Sequence, residues 1–226
     1  MGPHPMLELS GLALDAPDGR RLLEGLDLAV PSGGNHLVTG PSGCGKSRLL
    51  RVIAGTERPA AGRVRVGGRD VWPGDGALGL AGRVRVGFAF ASGGLLSNLT
   101  LRENLALPLR FLGMAPKEVE ARVDEAMACL GLEPVASLRP HAVSASARRH
   151  GNLARVIALD PELILLDDPL EGLDAADRAT ALAVIGRWAE DPEKTLLIAL
   201  EAPGPFAEVA PGRLDLRPLP PVLETP

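Results

Sequence analysis

Hydrophobic positions along this chain change their period several times, and each change marks an element. Residues 7–14 alternate apolar and polar positions as a strand does. Pro17-Asp18-Gly19 supplies a turn, and residues 22–30 form a second strand-like run closed by Pro31-Ser32-Gly33-Gly34. Residues 36–39 read as the end of a strand, and residues 47–54 as a helix stopped by Gly55. Beyond Pro59 the string Gly-Arg-Val-Arg-Val-Gly occurs at residues 62–67 and again at 82–87. Nothing else recurs around it, so two similar edge strands of one sheet are expected rather than an internal repeat. Residues 91–98 form a loop of small residues. From Pro116 to Gly131, Val119, Val123, Ala126, Met127 and Leu130 share one helical face, with Gly131 at the stop. A further helix over about 147–159 has Ser144 or Ser146 available as its cap. Residues 163–166 are wholly apolar, as a strand buried on both faces requires, and residues 195–200 repeat that character. A helix is predicted between them over 174–190. The tail from Arg217 is Pro-rich and predicted to be extended. Together these predict a parallel α/β core with helices inserted before the strand at 163–166.

Composition narrows the function. The chain has 226 residues, enough for one large domain or two small ones. Its net charge of −4 provides no general attraction to nucleic acid or to anionic lipid. Tyrosine is absent and aromatics are few, so base stacking has little to work with. Cys44 sits in a glycine-rich loop and Cys129 in an apolar helix stripe, which suggests neither a disulfide framework nor a zinc site. No apolar run reaches membrane-spanning length, and Met1-Gly2-Pro3-His4-Pro5 lacks the basic and apolar regions of a signal peptide. A soluble, cytoplasmic protein is expected, with any membrane role arising through partners.

The chemistry concentrates at Gly40-Pro41-Ser42-Gly43-Cys44-Gly45-Lys46-Ser47, which fits the phosphate-binding pattern GxxxxGK[ST]. A strand, a glycine loop and a helix N-terminus in that order aim backbone N–H groups and a positive dipole end at a phosphate. Lys46 is then placed to reach the β- and γ-phosphates, and the Ser47 hydroxyl to bind Mg2+. Leu163-Ile164-Leu165-Leu166-Asp167 looks like a Walker B strand, with Asp167 at its carboxyl end where a carboxylate holds Mg2+ through water.

Asp168-Pro169-Leu170-Glu171-Gly172-Leu173-Asp174 resembles the segment after Walker B in ATP-binding cassette (ABC) ATPases, including the Gly172-Leu173-Asp174 D-loop. The resemblance runs from Leu7 to about Leu216 in family order and spacing. Small-molecule P-loop kinases share the phosphate loop but lack this D-loop. The resemblance implies an α/β fold, a P-loop NTPase core of ABC type with an antiparallel β-subdomain and an inserted helical subdomain. It implies a single nucleotide-binding domain over 7–217, the helical part over about 91–150, and a Pro-rich tail over 218–226. It also implies Mg2+ and ATP as cofactors: Gly40, Pro41, Ser42, Gly43, Cys44, Gly45, Lys46, Ser47 and Arg48 around the phosphates, and Ser47 and Asp167 at the metal.

Several positions depart from the family pattern. The catalytic Glu after Walker B aligns with Asp168, whose carboxylate is set back by one methylene, and a misplacement of about 1 Å costs on the order of 10²-fold in rate. The Q-loop Gln aligns with Ala91, after Phe88-Ala89-Phe90, and alanine cannot ligate Mg2+. The switch His aligns with Glu201; a carboxylate about 4 Å from a phosphate charge is repelled by roughly 4 kcal/mol at an effective dielectric near 20. Glu201 must then turn away, be protonated or pair with a cation, unless it replaces the base. The signature LSGGQ aligns with Val143-Ser144-Ala145-Ser146-Ala147: Ser144 keeps its hydroxyl, Ala145 and Ser146 replace glycines, and Arg148-Arg149 would attract phosphate weakly. The aromatic that stacks on adenine aligns with Ala16, and the Thr after the P-loop Ser with Arg48. A nucleotide-binding, poorly hydrolysing regulatory subunit is the resulting expectation. A structural subunit that binds no ATP and an active ATPase with unusual residues are the rivals.

The segment from Phe90 to Leu109 is similar to the Q-loop region of ATPases from MCE-type (Mla-like) lipid transporters, as is Arg155-Val156-Ile157-Ala158-Leu159-Asp160-Pro161. That likeness implies lipid as cargo. It implies as partners an ABC permease, a second ABC ATPase or a second copy of this chain, and MCE proteins, with no nucleic acid. It places the chain at the inner face of the cell membrane.

Overall fold

A computed structural model describes residues 5–73, 84–91, 94–217 and 219. The first string of alternating residues forms β1 (Leu7–Asp15), which pairs antiparallel with β2 (Arg21–Val30) across the predicted turn and, on its other side, with β4 (Ala61–Val66). A two-residue strand, β5 (Arg69–Asp70), completes this antiparallel sheet in the order β2-β1-β4-β5. The second sheet is parallel. It contains β3 (Asn35–Thr39), β6 (Val86–Ala89), β7 (Leu163–Asp167), β8 (Thr195–Leu200) and β9 (Gly212–Asp215), in the order β6-β7-β8-β3-β9.

The expectation that the repeated Arg-Val-Arg-Val string makes two edge strands of one sheet is overturned. The first copy lies in β4, inside the antiparallel sheet; the second leads into β6, the edge of the parallel sheet against β7. The residues on the carboxyl side of each copy account for the difference. Gly67-Gly68 turns the first back into β5, whereas Val86-Gly87-Phe88-Ala89 carries the second on alongside Leu163–Leu166. Gly82 and Arg83 of that second copy lie outside the described residues, as do Met1–His4, Ser92, Gly93 and most of the tail.

Period-two alternation assigns the parallel strands to two cores. Leu163, Leu165, Leu197 and Val38 face α1 (Lys46–Ile53) and the antiparallel sheet, while Ile164, Leu166, Leu196 and Ile198 face the remaining helices. Those helices are α2 (Leu101–Phe111), α3 (Pro116–Cys129), α4 (Ala145–Leu159) and α5 (Ala175–Glu190). The stripe predicted on α3 is buried from Val119 to Leu130, and Gly131 adopts the left-handed conformation past its end. Cys129 is only half-buried, and its Sγ receives an Arg187 guanidinium N–H at 3.1 Å. Of the two serines offered as cap for α4, Ser144 takes the role: its hydroxyl accepts the Ala147 N–H at 3.0 Å, so the helix begins before Ala147. The helix α2, which residue periodicity does not mark out, starts in a full capping box between Thr100 and Glu103 and tolerates Pro108 inside.

Candidate functional site

The Gly40–Ser47 loop joins β3 to α1 and needs its glycines for two different reasons. Gly43 and Gly45 hold φ of 77° and 106°, a region that side chains rarely adopt. Gly40 is also crowded: a Cβ there would meet the Leu216 carbonyl oxygen at 2.4 Å and Cys44 Sγ at 2.8 Å. The Cys44 thiol is buried beneath the loop, and its N–H turns back to Pro41 O at 3.3 Å. Lys46 is almost wholly buried, with Nζ donating to Gly40 O at 2.7 Å and Pro41 O at 3.0 Å. The ammonium is therefore held at the mouth of its own loop. The Arg48 guanidinium is engaged by Glu57, as is that of Arg51.

Across the strand ends, Ser47 Oγ donates to Asp167 Oδ1 at 3.0 Å. Burial pushes the Asp167 carboxyl up from the ordinary aspartate range, opposed by the Ser47 hydroxyl, the Ala91 backbone N–H, Arg51 and Lys46. A hydroxyl and a carboxylate at hydrogen-bond distance, beside an ammonium and a loop of N–H groups, form an oxygen donor set suited to a hard divalent cation carrying a phosphate. These residues thus fit Mg2+ and a nucleotide.

Asp168 comes next with φ of 42°, uncommon for a non-glycine residue, its N–H tied to Ala199 O at 3.0 Å. Its carboxyl is also pushed up, first by burial and then by the charge of Asp167; Lys46 opposes, and Glu171 and Glu201 add to the rise. Glu201, just past β8, is exposed and forms no ion pair among the described residues. Of the options open to it, it takes the solvent. Ala91 lies past β6 and reaches Asp167 through its backbone, not its side chain. Ala16 lies in the turn between β1 and β2, where its N–H donates to Arg20 O at 2.7 Å, and it packs against the core.

At the start of α4 the arrangement differs from the sequence expectation. Ser144 is occupied as the cap, and Ala145 is exposed. The Ser146 hydroxyl donates to Asp177 on α5. The buried His150 ring stands over the same residue, Nε2 lying 3.3 Å from Asp177 O. Arg148 and Arg149 do not present free guanidinium groups to a phosphate. Arg148 folds back on Val143 O at 2.7 Å and Pro140 O at 3.2 Å. Arg149 points inward, to the carbonyl oxygens of Phe90 and Ala91 and to Glu171. Sequence reasoning missed both the Ser146–Asp177 contact and the inward turn of Arg149, since each depends on which helix lies alongside α4.

The family profile described as ABC transporter matches residues 23–171. The lipoprotein-releasing system ATP-binding protein LolD of Chromohalobacter salexigens is 32% identical over 203 residues, 88% of this chain and 86% of its own length. The sn-glycerol-3-phosphate import ATP-binding protein UgpC of Rhodopseudomonas palustris is 38% identical over 162 residues, and there the chain covers 42% of the relative. Among solved structures, the ATP-binding cassette MJ0796, a dimer in a post-hydrolysis state bound to ADP and Pi, superposes with a TM-score of 0.77 at 25% identity, covering 94% of each chain.

Proposed function

This chain belongs to the ABC transporter family, and on that premise we propose that it is a Mg-ATP-binding subunit that hydrolyses poorly and regulates a membrane transporter. The observation that carries this reading is the contrast across the site. On one side Lys46, Ser47 and Asp167 converge around the Gly40–Ser47 loop. On the other, Ala91 has no side chain to offer a metal, Asp168 is one methylene short, and Glu201 brings negative charge toward Asp168. The phosphate-binding half is furnished; the water-activating half is not.

Bound Mg2+ would neutralise phosphate charge and bridge its oxygens. The chain's own residues do the rest of the holding. Ser47 and Asp167 would take the metal from opposite sides of the cleft, and the N–H groups of the loop and the first turn of α1, Arg48 included, would face the phosphates. Lys46 would turn its ammonium from the loop carbonyls toward them. Asp168, kept toward its neutral form by burial and by Asp167, is a weak proton acceptor. Glu201 would be pressed away from the same charge. Ser144, Ala145 and Ser146 at the start of α4 would face the nucleotide of a paired subunit.

In this reading residues 7–217 form a single nucleotide-binding domain, its helical part over about 91–150, with a tail over 218–226. No helix among the described residues is long and apolar enough to cross a membrane. We therefore take a permease as the membrane partner, with this chain on the inner face of the cell membrane. Support comes from α2, where Phe111 is 91% exposed beside the exposed Leu107 and Leu112. The second ATPase subunit is another ABC chain or a second copy of this one. The likeness of residues 90–109 to MCE-type transporters favours lipid cargo and MCE proteins in the complex.

Titration of a fluorescent ATP analogue with and without Mg2+, alongside phosphate release, tests the reading. The expected result is Mg2+-assisted binding that Lys46→Ala abolishes, with little phosphate released. Absence of binding would overturn it in favour of a structural subunit, and rapid turnover in favour of an active ATPase.

A further inference from the structure

Asp167 depends on a neighbour that the phosphate-loop pattern does not contain. Its carboxylate accepts from Ser47 Oγ and from the Ala91 backbone N–H. Ser47 is fixed by α1. Ala91 lies where the chain leaves β6 for a loop of small residues, and its methyl group gives the loop little to hold. The group that holds the peptide is on α4. The Arg149 guanidinium donates to the Ala91 carbonyl oxygen and, at 3.4 Å, to that of Phe90. The same group donates through Nε to Glu171 O at 3.1 Å and pairs with Glu171 Oε2 at 3.2 Å. Its side chain is only 14% exposed, whereas that of Glu171 is 68% exposed. A planar fork thus bridges the loop after β6 and the loop after β7, and Asp167 stands between those loops.

We propose that Arg149 is a positioning residue for the Mg2+ site, holding the Ala91 peptide so that its N–H stays on the Asp167 carboxylate. The inference deepens the functional reading above and rests on it where nucleotide is concerned. With Ala91 N–H and Ser47 in place, Asp167 is oriented and its charge is supported against burial, leaving its other lone pairs for a cation. Without Arg149 the Ala91 peptide is free to rotate, and the carboxylate loses its backbone donor. Outer partners of a metal ligand typically contribute about 10–100-fold in metal affinity. The exposed Glu171 carboxylate serves Arg149 less than the two loop carbonyls do. Lysine, a point charge with no fork, cannot reach both loops at once.

The test uses the full chain and the variants Arg149→Met, Arg149→Lys and Glu171→Gln, with two readouts. The first is the Mg2+ concentration that half-saturates nucleotide binding. It should rise about tenfold in both Arg149 variants and stay near wild type in Glu171→Gln, while affinity measured in chelator changes by less than about twofold. The second is Ala91 amide hydrogen exchange by NMR without nucleotide, which should quicken about tenfold in the Arg149 variants, as expected when a protecting hydrogen bond opens locally. Mg2+ half-saturation and Ala91 exchange that both match wild type in folded Arg149→Lys would overturn the inference. Wild type that binds no nucleotide would overturn the functional reading instead, and the exchange experiment would still decide the role of Arg149.

Discussion

Ser146 stands where the ABC pattern has a glycine, and restoring that glycine should weaken the protein. The Ser146 hydroxyl donates to Asp177 Oδ2, joining the first turn of α4 to that of α5. Ser146→Gly removes this bond to a charged acceptor. Bonds of that kind contribute about 1.5–3 kcal/mol, and the half-buried setting puts this one near the lower end. Glycine in place of serine in a helix costs roughly 0.5 kcal/mol more. The combined loss is ~2 kcal/mol, which for a chain of this size lowers the melting temperature by about 4–8 °C. Thermal unfolding by circular dichroism at pH 7 measures it, with Asp177→Ala and the double variant closing a mutant cycle. The cycle should return a coupling of about 1 kcal/mol or more, as for residues in direct contact. A melting point within about 1 °C of wild type, or a coupling near zero, would refute the reasoning and leave Ser146 a passive replacement.

Three further outcomes are expected. Asp168→Glu recovers the missing methylene but not the Ala91 or Glu201 positions, so steady-state phosphate release from the isolated chain should stay below about 1 s⁻¹, the lower end of ordinary enzyme turnover; faster release would sink the multiple-defect account. Phe111→Asp should change the urea midpoint little, within about 0.5 kcal/mol as for exposed substitutions, yet remove co-purification with a permease; retained co-purification would exclude α2 as the contact. Burial acts to raise the Asp160 carboxyl, but the hydrogen bond and charge of Lys194, with Arg85 and Arg122, outweigh it and hold it below its usual value. An acid with a depressed folded pKa stabilises above its unfolded value, near 4, and loses that contribution as the pH falls through the folded one. The stability difference between wild type and Asp160→Asn should therefore be present at about pH 6 and shrink below about pH 4, and a difference that persists at about pH 3 would contradict it.

The sequence makes plain those features that local chemistry decides. The loop from Gly40 to Ser47, the stripe on α3 and the apolar runs of β7 and β8 each arise from residue type and spacing, and each is where the pattern predicts. Residue type narrows the α4 cap to two serines, and geometry chooses Ser144. Features decided by long-range pairing escape. Identical Arg-Val-Arg-Val strings enter different sheets because of their neighbours in space. The four residues of β9 carry no strong pattern and are ordered by pairing with β3. Arg149 reads as a surface cation because nothing within α4 reveals that two loop carbonyls lie beneath it.

The placement of β3 also sets an order of events during synthesis. Its two sheet neighbours are β8 and β9, and Leu216 N–H donates to Thr39 O at 2.7 Å just below the glycine loop. The ribosome delivers those partners roughly 150 residues or more after Thr39, which at about 5–20 residues per second is a delay on the order of ten to thirty seconds. Until then the strand that carries the phosphate loop has no parallel partner on either side. Nucleotide is thereby kept from nascent chains that stop short of Leu216. Phosphate binding becomes a late sign of completed translation, one that a truncated product cannot imitate.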